Sequence, residues 1–264
     1  MRQQRTIATG QGLSIHAEVE GEGPPIVWVA GLGDDSSSWE RQVADFRDEY
    51  LCVTFDNRGI GRSSVPPGPY TISAMAHDAH DVVAGLGIAP VIAVGSSMGG
   101  AICQRWAAQH PEDIRGLVLT NTWGRSDGFL HVLFEHWIGL AREGGGQLLR
   151  SLLLFSHGAD FLAARPDVSA DFLGSAPPDL DGFTAAAHAC RDHDALPVLS
   201  AITAPALVIV GEDDILTRPA LGRDLAERLP NASLAAVAAG HMLFWERPEE
   251  FAALVREFLR YRVS

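Results

Sequence analysis

Serine is a weak nucleophile at neutral pH and attacks carbonyls only where a base takes its proton and a third group holds that base. The run Gly95-Ser96-Ser97-Met98-Gly99-Gly100 offers such a serine, since it follows the apolar segment Val91-Ile92-Ala93-Val94 and opens a helix-like stretch. A tight strand-to-helix turn needs small residues two before and two after the nucleophile. Ser97 has Gly95 and Gly99 there, whereas Ser96 would have Val94 and Met98, so Ser97 is the expected nucleophile. A position at a helix N-terminus also turns backbone N–H groups and the positive dipole end towards a developing oxyanion. Two structural serines in a glycine-rich turn would not explain the strand before it and the helix after it.

Such an elbow carries its partners in the chain order serine, acid, histidine. Gly211-Glu212-Asp213-Asp214-Ile215 places three acids after the buried-strand candidate 206–210, at the carboxyl end where open α/β sheets build their sites. Residue chemistry alone does not separate Asp213 from Asp214. Of the ten histidines, His241 is the one that follows the last strand candidate and precedes the final helix. His77 and His80 share a helix with Asp78 and Asp81, which reads as a solvated polar face rather than a metal site. The oxyanion is expected to meet the N–H of Met98 and, from the glycine-rich loop Ala30-Gly31-Leu32-Gly33, that of Leu32.

The elements that must position these residues alternate. Strand patterns at 13–19, 26–29, 51–55, 91–94, 117–120, 206–210 and 233–237 are interleaved with helical ones at 39–46, 72–86, 98–110, 220–229 and 248–261. Strands separated by helices imply right-handed crossovers and a mostly parallel sheet, here expected to be eight-stranded with helices on both faces and an opening hairpin. Residues 123–199 break the rhythm with helix-like pieces and no buried-strand run, and read as an inserted helical cap on a core formed by 1–122 and 200–264. Caps roof such sites, so Trp123, Phe134, Trp137, Phe155 and His188 are candidates for a medium-sized, mostly apolar substrate pocket. Leu130, Leu133, Phe134 and Trp137 also fall at helical spacing, which suits a packing stripe.

Composition narrows the partners. A net charge of −13, with no lysine and no arginine run, excludes a phosphate-binding face and so a nucleic-acid partner. Cys52, Cys103 and Cys190 are odd in number and far apart, which suits buried thiols rather than disulfides or metal ligands. No dinucleotide fingerprint, P-loop or Cys/His ligand spacing calls for a cofactor or a metal. The polar start and the lack of a long apolar run predict a cytoplasmic protein with no membrane partner.

In sequence order, Gly31-Leu32-Gly33 with Trp39, Asp56-Asn57-Arg58-Gly59-Ile60-Gly61-Arg62-Ser63, the elbow, Gly211 to Asp214 and Gly240-His241 make the chain similar to the α/β-hydrolase superfamily over nearly its whole length. Within it, Ser36-Ser37-Ser38-Trp39, Asn121-Thr122-Trp123 and residues 152–165 most resemble 3-oxoadipate enol-lactonases and the aminoacrylate hydrolases of pyrimidine breakdown. The resemblance implies the α/β-hydrolase fold, and its Gly-x-x-Asp spacing selects Asp214 as the acid. It also shows a departure: many relatives carry His-Gly where this chain has Ala30-Gly31. The implied activity is hydrolysis of a small-molecule carboxylic ester or lactone through an acyl-enzyme. Carbon–carbon hydrolysis of a vinylogous diketone is the alternative reaction, although those enzymes usually carry Ser-Gly-Pro-Gly at the oxyanion loop. A ligand receptor on a hydrolase fold is the alternative of another class.

Overall fold

The computed structural model describes residues 2–263; Met1 and Ser264, the outermost residues of the expected core segments, lie outside the described residues. Its strands are β1 (Gln3–Ala8), β2 (Ser14–Glu20), β3 (Pro25–Val29), β4 (Leu51–Phe55), β5 (Val91–Ser96), β6 (Ile114–Thr120), β7 (Ala206–Gly211) and β8 (Ala232–Val237). They form one eight-stranded sheet in the order β1-β2-β4-β3-β5-β6-β7-β8. The β1–β2 hairpin and the β2–β4 pair are antiparallel, and every pairing from β4 to β8 is parallel.

The helices are α1 (Glu40–Phe46), α2 (Ile72–Leu86), α3 (Met98–Gln109), α4 (Gly128–Arg142), α5 (Gly146–Ser156), α6 (Ala159–Ala164), α7 (Pro166–Gly174), α8 (Leu180–Arg191), α9 (Leu196–Leu199), α10 (Pro219–Arg228), α11 (Leu243–Glu246) and α12 (Pro248–Arg262). The period-2 geometry of a strand sends neighbouring side chains to opposite faces, and a central strand must therefore be apolar throughout. Val27 and Val29 of β3 join α2, α3 and α10 residues such as Val82, Ile102 and Leu225 in one core, while Ile26 and Trp28 join Phe46 of α1 and Phe251 and Val255 of α12 in the other. Helices on both faces thus follow directly from unbroken apolar runs in β3, β5 and β7.

Local signals fix the ends of α2. Thr71 accepts the Ala74 N–H on its side chain, and Gly87 ends the helix at φ +67, a left-handed conformation that suits a residue without Cβ. The first helical pattern instead splits into a 3-10 turn, Ser36–Trp39, capped by Asp35, and α1. Neither that turn nor the short α11 was expected from periodicity.

The polar face of α2 differs from expectation, because α2 packs against α3 and the opening hairpin. Asp78 is buried in a two-point ion pair with Arg58 at 2.6 and 2.7 Å, and Asp81 accepts the Gly10 N–H at 2.9 Å. His80 Nδ1 lies 2.7 Å from Asp113 Oδ2, and His77 Nδ1 lies 2.9 Å from His110 Nε2. Cys52, Cys103 and Cys190 are unpaired and buried, and burial pushes all three thiols up, Cys52 to about 11.

Helices α4 to α9 lie between β6 and β7, and α4 packs on α8. The two ends of this insertion meet where they leave the sheet: Ser126 N–H donates to His193 O at 3.0 Å and Ala195 N–H to Gly124 O at 2.8 Å.

Candidate active site

Ser97 stands between the last residue of β5 and the first of α3 with φ +54 and ψ −119, a backbone state that costs energy for any residue with a Cβ. The packing around it explains its glycines. A Cβ on Gly95 would sit 2.4 Å from Gly99 O, and one on Gly99 would sit 2.0 Å from Val29 O. The turn is held from β6, where the Ser97 N–H donates to Thr120 O at 3.0 Å and the Thr122 hydroxyl donates to Ser97 O at 2.7 Å.

Asp214 lies beyond the end of β7 and is 3% exposed. Its Oδ1 accepts the N–H groups of Leu216 and Thr217 at 2.8 and 2.9 Å, and its Oδ2 accepts the Thr217 hydroxyl at 2.7 Å. The fourth contact of this carboxylate is His241 Nδ1 at 2.8 Å, so four donors converge on it, about as many as a carboxylate accepts. Asp213, the other acid left open by residue chemistry, has no such contact with His241. Thr217, also 3.1 Å from His241 Nδ1, is a member of this group that sequence reading missed. An Asp followed three residues later by Thr was its only trace.

Two further polar residues hold the His241 loop, and neither was given a role from sequence, although Asn121 stands in a segment that carries the resemblance. Asn121, at φ +44 just past β6, donates its amide to Gly240 O and His241 O and accepts the Gly211 N–H at 2.7 Å, which ties β6, β7 and the histidine loop together. Glu246 of α11 accepts the Gly240 N–H at 2.9 Å on one oxygen and the Gly158 N–H at 3.0 Å on the other. That buried carboxylate joins the histidine loop to the insertion, and Met242 N–H adds a bond to Ser156 O at 2.8 Å.

The loop after β3 lies against the serine. A Cβ on Gly31 would stand 3.6 Å from the Cβ of Ser97, and Asn57 donates its amide to Ala30 O at 3.1 Å from below. Asp56 anchors the same region by accepting the Ser36 and Arg62 N–H groups at 2.8 and 2.9 Å. Met98 opens α3, so its N–H has no acceptor within that helix, and Leu32 lines the cavity in front of Ser97.

That cavity has a volume of about 410 Å³, and both Ser97 and His241 face it. Its roof comes from the insertion: Phe134 and Trp137 of α4, Leu149 and Leu152 of α5, Phe172 of α7 and the segment from Ser175 to Asp179. Trp123, Phe155 and His188 do not line it. Trp123 is fully buried behind Phe134, with ring centroids 5.8 Å apart and its indole N–H on Ser126 Oγ at 2.8 Å. Phe155 backs Trp137 at 6.1 Å, because Leu149 and Leu152 take the inward positions of α5. His188 faces a separate hollow against residues 65–69, since the buried stripe of α8 through Phe183, Ala186 and Ala189 turns it outward. The expected packing stripe 130, 133, 134 and 137 is buried as well, so α4 serves the core and the cavity with one face.

Two titratable residues of the cavity wall were not anticipated. Burial pushes His157 down to about 4, which leaves it a neutral imidazole stacked on Phe161 at 5.5 Å. Burial likewise pushes Asp34 up to about 6 against the opposing pull of His241. No feature of the chain distinguishes Asp34 from an ordinary loop acid until the sheet brings its loop to Ser97.

Among the described residues, ligand atoms of His80, His110 and Asp113 lie within 4.8 Å of one another. The 2.7 Å between His80 Nδ1 and Asp113 Oδ2 is a hydrogen bond, shorter than the roughly 3.3 Å that separates ligands about a tetrahedral zinc with ~2.0 Å bonds. Asp113 also accepts the Trp106 indole N–H at 2.8 Å, so the group reads as a polar clasp between α2 and the end of α3. It sits a full helix length from Ser97, roughly 18 Å at ~1.5 Å per residue.

Comparison with known proteins agrees with this architecture. The alpha/beta hydrolase fold family model matches residues 24–248. A Mycobacterium tuberculosis protein named "Putative non-heme bromoperoxidase BpoC" is 34% identical over 249 residues, covering 90% of this chain and 94% of that protein. The 3-oxoadipate enol-lactonase 2 of Acinetobacter baylyi is 29% identical over 262 residues, covering 96% and 95%. Among solved structures, the enol-lactonase from Burkholderia xenovorans LB400 superposes with a TM-score of 0.90 at 32% identity, covering 97% of this chain and all of that one. With a sheet, a strained strand-to-helix turn and a family model that all coincide, this chain belongs to the α/β-hydrolase family.

Proposed function

We propose that this protein is a serine hydrolase that cleaves a carboxylic ester or lactone through an acyl-enzyme. The observation that carries the reading is the shared cavity: Ser97, in its strained turn, faces it together with a His241 whose Nδ1 is held 2.8 Å from the buried Asp214. Ser97 Oγ attacks the carbonyl carbon and passes its proton to His241 Nε2. The Leu32 and Met98 N–H groups take up the charge that develops on the carbonyl oxygen. As the tetrahedral species collapses, the alkoxide leaves with the proton from His241; in a lactone it remains attached to the acyl chain as a free hydroxyl. A water molecule then attacks the acyl carbon and gives a proton to His241, which returns it to Ser97 Oγ as the acyl–oxygen bond breaks and the acid is released. Asp214 keeps the imidazole in one orientation and tautomer throughout. The names of the two enol-lactonases support the lactone part of this reading.

The test is turnover of a panel of p-nitrophenyl esters of increasing acyl length and of several lactones by the wild type and by Ser97→Ala, with phosphonate labelling of the serine. The expected result is labelling of Ser97 and a loss of about 10⁴-fold or more in kcat for the variant. Equal rates in both proteins on every accepted substrate refute the reading.

A further inference from the structure

Among the described residues, three aspartates and no arginine face the cavity, and the chain has no lysine. Two of the three are already engaged. Asp35 caps the 3-10 turn by accepting the Ser37 N–H at 2.8 Å, and Asp179 caps α8 by accepting the Gly182 N–H at 2.8 Å. Among the described residues, the Asp34 carboxylate accepts no hydrogen bond from the protein. Its Oδ2 and the Cβ of Ser97 both lie within 4 Å of one point, the position a Cβ on Gly31 would take. The carboxylate thus keeps its acceptor positions open to the cavity beside Ser97, in a wall with neither lysine nor arginine, where a ligand's donor can take them.

We infer that Asp34 is a recognition subsite for a protonated amine, and that the cavity takes esters or lactones whose acyl group carries an ammonium on its α or β carbon. The spacing favours a short linkage, because Asp34 Oδ2 and Ser97 Cβ lie close to the same point beside Gly31. The same field opposes a substrate with a second carboxylate, since nothing on the wall pairs with it. Burial holds Asp34 above the usual carboxylate range, and an ammonium beside it would pull it back down. This inference rests on the serine-hydrolase reading for its chemistry, but not for its charge preference.

Three ethyl esters of similar length separate the possibilities at pH 8: ethyl 3-aminopropanoate, ethyl butanoate and monoethyl succinate, followed by acid release. The expected kcat/KM falls in that order, with the ammonium ester about tenfold to a hundredfold above the anionic one, the range of a charge-assisted hydrogen bond. Asp34→Asn collapses the ratio, and Asp34→Glu restores part of it. Turnover with no such ranking, or a ranking unchanged in Asp34→Asn, overturns the subsite and leaves the serine mechanism standing. If no ester is turned over, the mechanism fails and the subsite is read by binding: the fluorescence of Trp137 and Trp245, both on the cavity wall, is titrated with propylammonium, propanol and propionate. Propylammonium binding at least tenfold tighter than propionate in wild type only supports the subsite; equal binding, or tighter propionate, refutes it.

Discussion

Asp214 and Asp34 are acids on the same cavity, one at the end of β7 and one in the loop after β3, and their surroundings are opposites. Four donors converge on Asp214, whereas none among the described residues reaches the carboxylate of Asp34. The carboxylate of Glu246 belongs with Asp214, since each of its oxygens holds one backbone N–H. A fold can therefore spend carboxylates on fixing its own parts and leave another free for a ligand, and the difference is visible in donors alone. Removing the charge should accordingly do damage at the first kind of site and relieve the fold at the second.

The largest effect is expected at Asp214. Asp214→Asn keeps the shape but presents an amide to His241, and should lower kcat by about 10⁴-fold while the cooperative unfolding transition persists. A kcat within tenfold of wild type, measured on any accepted ester, would take Asp214 out of the charge-bearing role. Glu246→Gln follows, because it turns one acceptor into a donor facing a backbone N–H. Urea unfolding should show a loss of about 3 kcal/mol, a lost charge-assisted bond plus an unsatisfied amide. A variant as stable as wild type would show that the clasp between histidine loop and insertion is decorative.

The smallest effect has the opposite sign. Asp34 has a folded-state pKa raised to about 6 from the ordinary 3.8, so the folded chain binds more protons than the unfolded chain between those values. Its contribution is therefore fully present below about 4 and lost as pH rises through about 6. Asp34→Asn should stabilise the ligand-free protein by about 1–2 kcal/mol at pH 8, discounted from ~1.4 kcal/mol per pKa unit because the cavity admits water. The gain should shrink towards pH 4. Thermal unfolding at both pH values checks it, and a destabilised variant at pH 8 would mean that the acid is engaged by the protein after all.

The two aspartates also show how far the chain could be read before folding. The buried strands, α2 and the serine turn are local statements: apolar runs, a threonine cap, and two glycines whose missing Cβ atoms make room for a backbone crossing. His241 was proposed from its order relative to strands, whereas order left Asp213 and Asp214 open and the family's Gly-x-x-Asp spacing chose Asp214. Asp34 had no comparable marker, because its meaning comes from a loop that meets Ser97 across the sheet. The same holds for His77 and His80, whose partners His110 and Asp113 each lie 33 residues away. In the insertion the apolar pattern put Phe134 and Trp137 on one helix face, and that face meets both the core and the cavity. It could not say which of several neighbouring apolar residues stands in the wall and which, like Trp123 and Phe155, stands behind it.

The Glu246 contact also decides where the roof can give way. Ser156, Gly158 and the histidine loop are stitched together by three hydrogen bonds, so that border of the insertion cannot lift without dragging His241. The stretch that follows directly, α6 and α7, buries no residue. One part of the roof is a fixed jamb, and the part next to it is held by less. A roof movement that leaves the imidazole's aim unchanged therefore has to begin beyond Gly158.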